Sequence, residues 1–187
     1  MTCIVAYEQD GVVWMGGDSA GVDGYFITAR GDQKVFKNGE YLIGFTTSFR
    51  MGQLLRYKFD PSPCPDWDLE KHMVTTFIDE VRKCFTDNGY DKKAEQGEHL
   101  GGQFLVATQG RIFQINSDFQ VGWNSSPYNA VGCGAEVAHG ALFALHDQYK
   151  TLDPELIVKT ALEAAVAHSA GVRPPFVILN TETTDDQ

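Results

Sequence analysis

The chain has 187 residues, 43% of them hydrophobic and 21% charged, with a formal net charge of −10 from fifteen basic and twenty-five acidic side chains. That length suits one domain over 1–187 with a sizeable core. The acidic balance, without any Lys/Arg stripe, argues against nucleic acid as a partner, and no apolar run approaches the ~18 residues of a membrane helix. With no basic region followed by an apolar run at the N-terminus, a soluble, cytoplasmic protein is expected.

Along the chain, Cys3 to Tyr7 has the pattern of a short strand, Gln9-Asp10-Gly11 that of a turn, and Val12 to Asp18 that of a second strand ending in glycines, so the two should pair as a hairpin. Strands follow at Lys34–Lys37 and Glu40–Phe45, joined by Asn38-Gly39, a dipeptide whose residues both tolerate positive φ. Ser48 is a plausible cap for a helix through Tyr57; after the prolines at 61, 63 and 65, Asp66 or Asp68 caps a second helix to about Phe85. Its apolar face is Leu69, Met73, Thr76, Phe77, Ile78, Val81 and Phe85. Residues Thr86 to Leu100 are polar and glycine-containing and suggest a loop, either a rim or a contact surface. A meander then runs through Gln103–Thr108, Arg111–Ile115 and Phe119–Trp123, followed by a strand and glycine turn over Tyr128–Gly134 and a helix from Ala135 to Tyr149. Asp153-Pro154-Glu155 starts a helix to about His168, and Phe176–Leu179 is a last strand. An acidic tail from about 181 is expected to be disordered. Two facing sheets with a helix pair outside each would bury every apolar face; pattern alone does not separate that from a single-sheet α+β fold.

Cys3, Cys64, Cys84 and Cys133 form neither a CxxC pair nor a zinc spacing, and five histidines make no metal motif, so free thiols are expected and no metal or cofactor is called for. Three polar residues of catalytic type stand sixteen apart: Thr2, Asp18 and Lys34. If an aminopeptidase removes Met1, Thr2 carries a free α-amine beside its own hydroxyl. That amine, with an ordinary pKa of about 7.7–8.0, can take the hydroxyl proton directly or through a water. A nearby lysine ammonium would stabilise charge on Oγ, and an aspartate would keep the lysine charged and oriented. Cys3 is a rival nucleophile, but neighbouring strand residues face opposite ways, which puts Cys3 out of register with Asp18 and into the core.

These residues and the layout resemble the proteasome β subunits and, more closely, the HslV peptidase, members of the N-terminal nucleophile (Ntn) hydrolases. The resemblance rests on the Thr-Cys-Ile-Val-Ala-Tyr start, the Gly-Gly-Asp-Ser-Ala-Gly turn, Lys34-Val35 and Gly44-Phe45. It implies an α+β, four-layer αββα sandwich of two antiparallel sheets and threonine-dependent peptide hydrolysis, with Thr2 as nucleophile and Asp18 and Lys34 as its partners. As in HslV, one methionine precedes the threonine, so no propeptide is expected. The family's oxyanion-donating glycine is matched by Thr47 or Ser48, its Gly-Ser-Gly turn by Gly132-Cys133-Gly134, and its Asp-x-x-Ser by a stretch lacking the aspartate, where Ser169 is the partial substitute. Gly21, Asp32, Phe36, Thr46 and Arg50 are expected to flank the substrate pocket. The resemblance further implies peptide or unfolded-protein substrates, a homo-oligomeric ring and a separate ATPase regulator. Two alternatives remain open: an inactive shell or assembly subunit, and an Ntn amidase acting on small amides.

Overall fold

A computed structural model describes residues 1–90, 92–94, 97–99, 101–148 and 151–183. The chain opens with β1 (Cys3–Gln9) and β2 (Val12–Gly17), paired antiparallel through Ile4↔Gly17 to Gln9↔Val12. A small arm, β3 (Ala20–Asp23) and β4 (Phe26–Ala29), follows; then come β5 (Val35–Asn38) and β6 (Tyr41–Phe45). Helix α1 (Phe49–Tyr57) is capped by Ser48, whose hydroxyl accepts from the Met51 N–H as its position suggests. The next helix begins as α2 (Leu69–His72) with Asp68 as its cap, turns as a π-helix over Met73–Phe77 and continues as α3 (Ile78–Asp87). The π turn inserts an extra residue into the repeat, and Thr76, expected on the buried face, is exposed.

Strands β7 (Lys92–Ala94) and β8 (Gly97–His99) pair within the stretch expected to be a loop; the rest of 91–100 lies outside the described residues. The meander is β9 (Phe104–Thr108), β10 (Arg111–Ile115) and a two-residue β11 (Val121–Gly122). It leads to β12 (Tyr128–Gly132), α4 (Ala135–Gln148), α5 (Pro154–His168), capped by Asp153, and β13 (Val177–Asn180).

Two antiparallel sheets result, ordered β12-β1-β2-β13 and β11-β10-β9-β6-β5. Strand alternation sorts the side chains into layers. Ile4, Ala6, Val13 and Met15 of the first sheet meet Val35, Leu42, Leu105 and Ala107 of the second. Cys3, Val5 and Tyr7 turn the other way, into α4 and α5. Phe36, Tyr41, Ile43 and Phe45 turn outward from the second sheet, against α1 and the π/α3 segment. The architecture is the four-layer αββα sandwich.

One hairpin turn sits one residue later than the sequence suggests. Asn38 pairs with Tyr41, so the loop is Gly39-Glu40, and only Gly39 takes positive φ (+58°). The arm, not anticipated from the sequence, closes with the same loop geometry, Gly24-Tyr25 with Gly24 at +56°. Glycine in the first central position is the pattern that requires left-handed backbone once only. At the other end, Thr181 and Thr183 are held rather than loose: Thr181 N–H donates to Val13 O at 3.0 Å, and Lys37 Nζ donates to both of their carbonyls. The remainder of the acidic tail lies outside the described residues.

Phe77 is fully buried in the outer core, 4.9 Å from the Tyr41 ring and 5.3 Å from Phe59, centroid to centroid. Phe77→Ala is expected to destabilise the fold by about 3–5 kcal/mol in urea unfolding. A loss below about 1 kcal/mol would contradict this packing.

Candidate active site

Three segment ends meet between the sheets. Thr2 immediately precedes β1 and shares the inward parity of Ile4 and Ala6, Asp18 follows the last residue of β2, and Lys34 precedes β5 in the opposing sheet. Gly17 lets the sheets converge here, since a Cβ on it would stand 2.8 Å from Ile4 Cδ1 and 2.9 Å from Val35 Cγ2. All three side chains are almost completely buried, each residue being 2% exposed.

Lys34 Nζ donates to Thr2 Oγ at 2.9 Å, to Asp18 Oδ1 at 3.0 Å and to the Ala20 carbonyl at 2.7 Å. An ammonium has three N–H donors, and all three are committed. The Thr2 hydroxyl meanwhile donates to the Met1 carbonyl, so it accepts from Lys34. Burial pulls the Lys34 ammonium below the ordinary lysine range, while the Asp18 charge and hydrogen bond work against that shift. Asp18 in turn accepts from the Cys3 and Ala20 N–H groups at 3.0 and 2.9 Å, and from Arg173 N–H at 3.3 Å. These backbone donors satisfy the carboxylate in a site without water-like surroundings.

The Thr2 nitrogen, an amide while Met1 is attached, donates to Cys133 Sγ at 3.3 Å, and Cys133 Sγ lies 3.4 Å from Ser169 Oγ. Gly132, at φ +102°, passes so close to the Thr2 carbonyl that any side chain would collide with it. Thr2 opens onto a cleft of about 520 Å³ whose walls include Thr46, Thr47, Gly102, Gln103, Ser117 and Cys133. Of the two candidate oxyanion donors, the Ser48 N–H is committed to Thr46 O at 2.7 Å, closing a three-residue turn around Thr47. Thr47 lies at φ +64°, a left-handed conformation uncommon for a β-branched residue, and its N–H has no acceptor among the described residues.

The expected pocket residues divide. Thr46 lines the cleft, its hydroxyl tied to the Gln103 backbone at 2.8 Å. Phe36 does not: it is 2% exposed, because its position in β5 turns it into the core beneath α1. Arg50 is exposed on α1 and absent from the cleft wall. Asp32 is forked to Arg30 at 2.6 and 2.7 Å beside a smaller hollow, and Gly21 lies against the Arg30 side chain; neither lines the cleft. The backbone donors on Asp18, the Ala20 carbonyl and the far wall at 101–103 and Ser117 were not foreseen; backbone groups leave no residue-type signal, and that wall is brought in from distant loops.

No protein-family model matches the sequence, and no curated protein matches it. By structure, Thiobacillus denitrificans BPH superposes with a TM-score of 0.80 at 18% identity, covering 99% of this chain and 100% of that one. The same protein in complex with epoxomicin gives 0.80 and 18%, over 96% and 97%. Eukaryotic HslV from Trypanosoma brucei gives 0.69 and 17%, over 96% and 98%. The fold is that of HslV and the proteasome-like proteins. Among the described residues, no helix is long and apolar enough to cross a membrane.

The Cys3 thiol is pushed up to about 12, by burial first and then by the Asp18 charge. Unfolded Cys3 titrates near its ordinary 9.0, so between there and about 12 the folded state holds the extra proton and this contribution to stability falls as pH rises. Cys133 is exposed. Iodoacetamide at about pH 8 is expected to alkylate Cys133 while sparing Cys3 until denaturant is added, read by peptide mass mapping. Alkylation of Cys3 in the native protein would contradict the burial.

Proposed function

We propose that the protein is a threonine-type peptidase whose nucleophile, Thr2, becomes competent when Met1 is removed. The observation that carries this reading is the Lys34 Nζ contact of 2.9 Å with Thr2 Oγ in a buried, fully hydrogen-bonded cluster. With all three of its N–H groups donating, Lys34 is a fixed positive charge rather than a proton acceptor. The base must therefore come from elsewhere, and the α-amine freed by loss of Met1 stands on the same residue as the hydroxyl.

In that form, Thr2 Oγ attacks the scissile carbonyl carbon and its proton passes to the α-amine. The developing oxyanion takes a hydrogen bond from the uncommitted Thr47 N–H. Collapse breaks the C–N bond, the leaving nitrogen receives the proton from the Thr2 ammonium, and an ester on Thr2 remains. Water attacks that ester with the amine again as base, releasing the carboxylic acid and restoring the hydroxyl. Asp18 keeps Lys34 charged, and Cys133 and Ser169 line up beside the Thr2 nitrogen. The substrates are peptides or unfolded protein, and assembly into a homo-oligomeric ring with a separate ATPase regulator accords with the HslV-like fold.

An inactive shell subunit is the second reading. It is favoured by the groups beside the Thr2 nitrogen, where the Cys133 thiol at 3.3 Å, a weaker hydrogen-bond partner than a hydroxyl, stands between that nitrogen and Ser169.

Turnover of fluorogenic peptides separates the two. A chain released to begin at Thr2 is expected to hydrolyse them, with Thr2→Ala lowering kcat by about 10⁴-fold or more. Equal, negligible rates for both chains would favour the shell reading. Lys34→Ala leaves the buried Asp18 carboxylate without its counter-charge, and is expected both to abolish turnover and to cost about 3–5 kcal/mol of stability in urea titration. Retained turnover in that variant would remove Lys34 from the mechanism.

A further inference from the structure

The Met1 side chain has a seat of its own. It lies against Gly171, where a Cβ would stand 2.6 Å from Met1 Sδ and 2.8 Å from its Cγ, with Met1 Cβ nearer still. A side chain at 171 would displace Met1. Met1 is 52% exposed and stands in the cleft wall with Thr2 and Cys133, so the hollow it would vacate lies over Gly171 at the cleft rim. Once Met1 departs, its occupant is gone and the hollow faces the reacting atoms.

The side of the scissile bond that it serves follows from the chemistry. The acyl carbonyl must stand between Thr2 Oγ and the Thr47 N–H, toward the Thr46 and Thr47 wall. The leaving nitrogen takes its proton from the Thr2 amine, so it must stand on the amine's side. That side carries Cys133, whose Sγ is 3.3 Å from the Thr2 nitrogen, and the Met1 seat.

Resting on the reading that Met1 is removed, we infer that the vacated Met1 hollow over Gly171 is the subsite for the first residue of the leaving peptide, and that it selects an unbranched apolar side chain. A methionine-like chain repeats the contact already made. A β-branched residue adds a second carbon where Met1 Cβ touches Gly171, and a carboxylate brings a charge to a hollow shaped for a thioether.

The test uses the chain beginning at Thr2 and internally quenched peptides that differ only in the residue after the scissile bond. Norleucine is expected to exceed glycine in kcat/KM by about 10-fold, with valine and aspartate no better than glycine. Gly171→Ala should bring the norleucine-to-glycine ratio close to one. A readout independent of turnover is NMR titration with norleucyl-glycyl-glycine and with triglycine. The norleucyl peptide should bind the chain beginning at Thr2 more tightly than triglycine does, and lose that advantage on the chain retaining Met1. Such binding without any hydrolysis would keep the subsite and sink the peptidase reading. Equal binding of the two peptides, or a norleucine preference undiminished by Met1, would overturn the subsite.

Discussion

A lysine ammonium buried between two sheets, with each of its three donors matched to an oxygen, is the interaction on which the rest of this molecule depends. A charge removed from water is tolerated only when paired and hydrogen-bonded, and the paired carboxylate must itself be satisfied. Asp18 meets that demand through backbone N–H groups of Cys3, Ala20 and Arg173, drawn from three separate segments. The cluster therefore fixes the start of β1, the approach to β3 and the entry to β13 relative to one another.

The same constraint orients the chemistry. Because Lys34 points a donor at Thr2 Oγ, that oxygen is held as an acceptor and its own proton is directed away from the lysine, toward Met1. On the proposed reading, loss of Met1 removes that acceptor and puts an amine on the same residue, so the proposed competent form differs from this one by a single peptide bond. The strained Thr47 turn supplies the other half of the arrangement, since fastening Ser48 N–H to Thr46 leaves the intervening N–H free.

Much of this was legible in the sequence, for a physical reason. Thr2, Asp18 and Lys34 stand at or beside strand ends, where residue type singles them out, and the resemblance is what implied that they share one site. Alternation and helical period marked the apolar faces, while the resemblance implied their arrangement in four layers; side-chain chemistry pointed to the caps Ser48 and Asp153 and to Asp68 as one of two candidates. The β3–β4 arm was missed although Asp23-Gly24 is a turn signal, because the exposed strand Phe26–Ala29 buries no face that alternation could reveal. Phe36 and Arg50 failed as pocket residues for a related reason: sequence position locates a residue near the site, but strand parity and helix face decide where it points. The far wall of the cleft, from Gly101 to Gln103, meets Thr46 across more than fifty residues of chain, and local pattern carries no information on such a contact.

Covalent trapping tests the central claim most directly. A peptide bearing an electrophilic threonine trap is incubated with the chain beginning at Thr2 and with its Lys34→Ala variant, and the adduct is located by peptide mass mapping. The buried-ammonium account predicts one adduct on Thr2 in the first and none in the second. An adduct on Cys3 or Cys133 instead of Thr2, or equal labelling of Thr2 with and without Lys34, would contradict it.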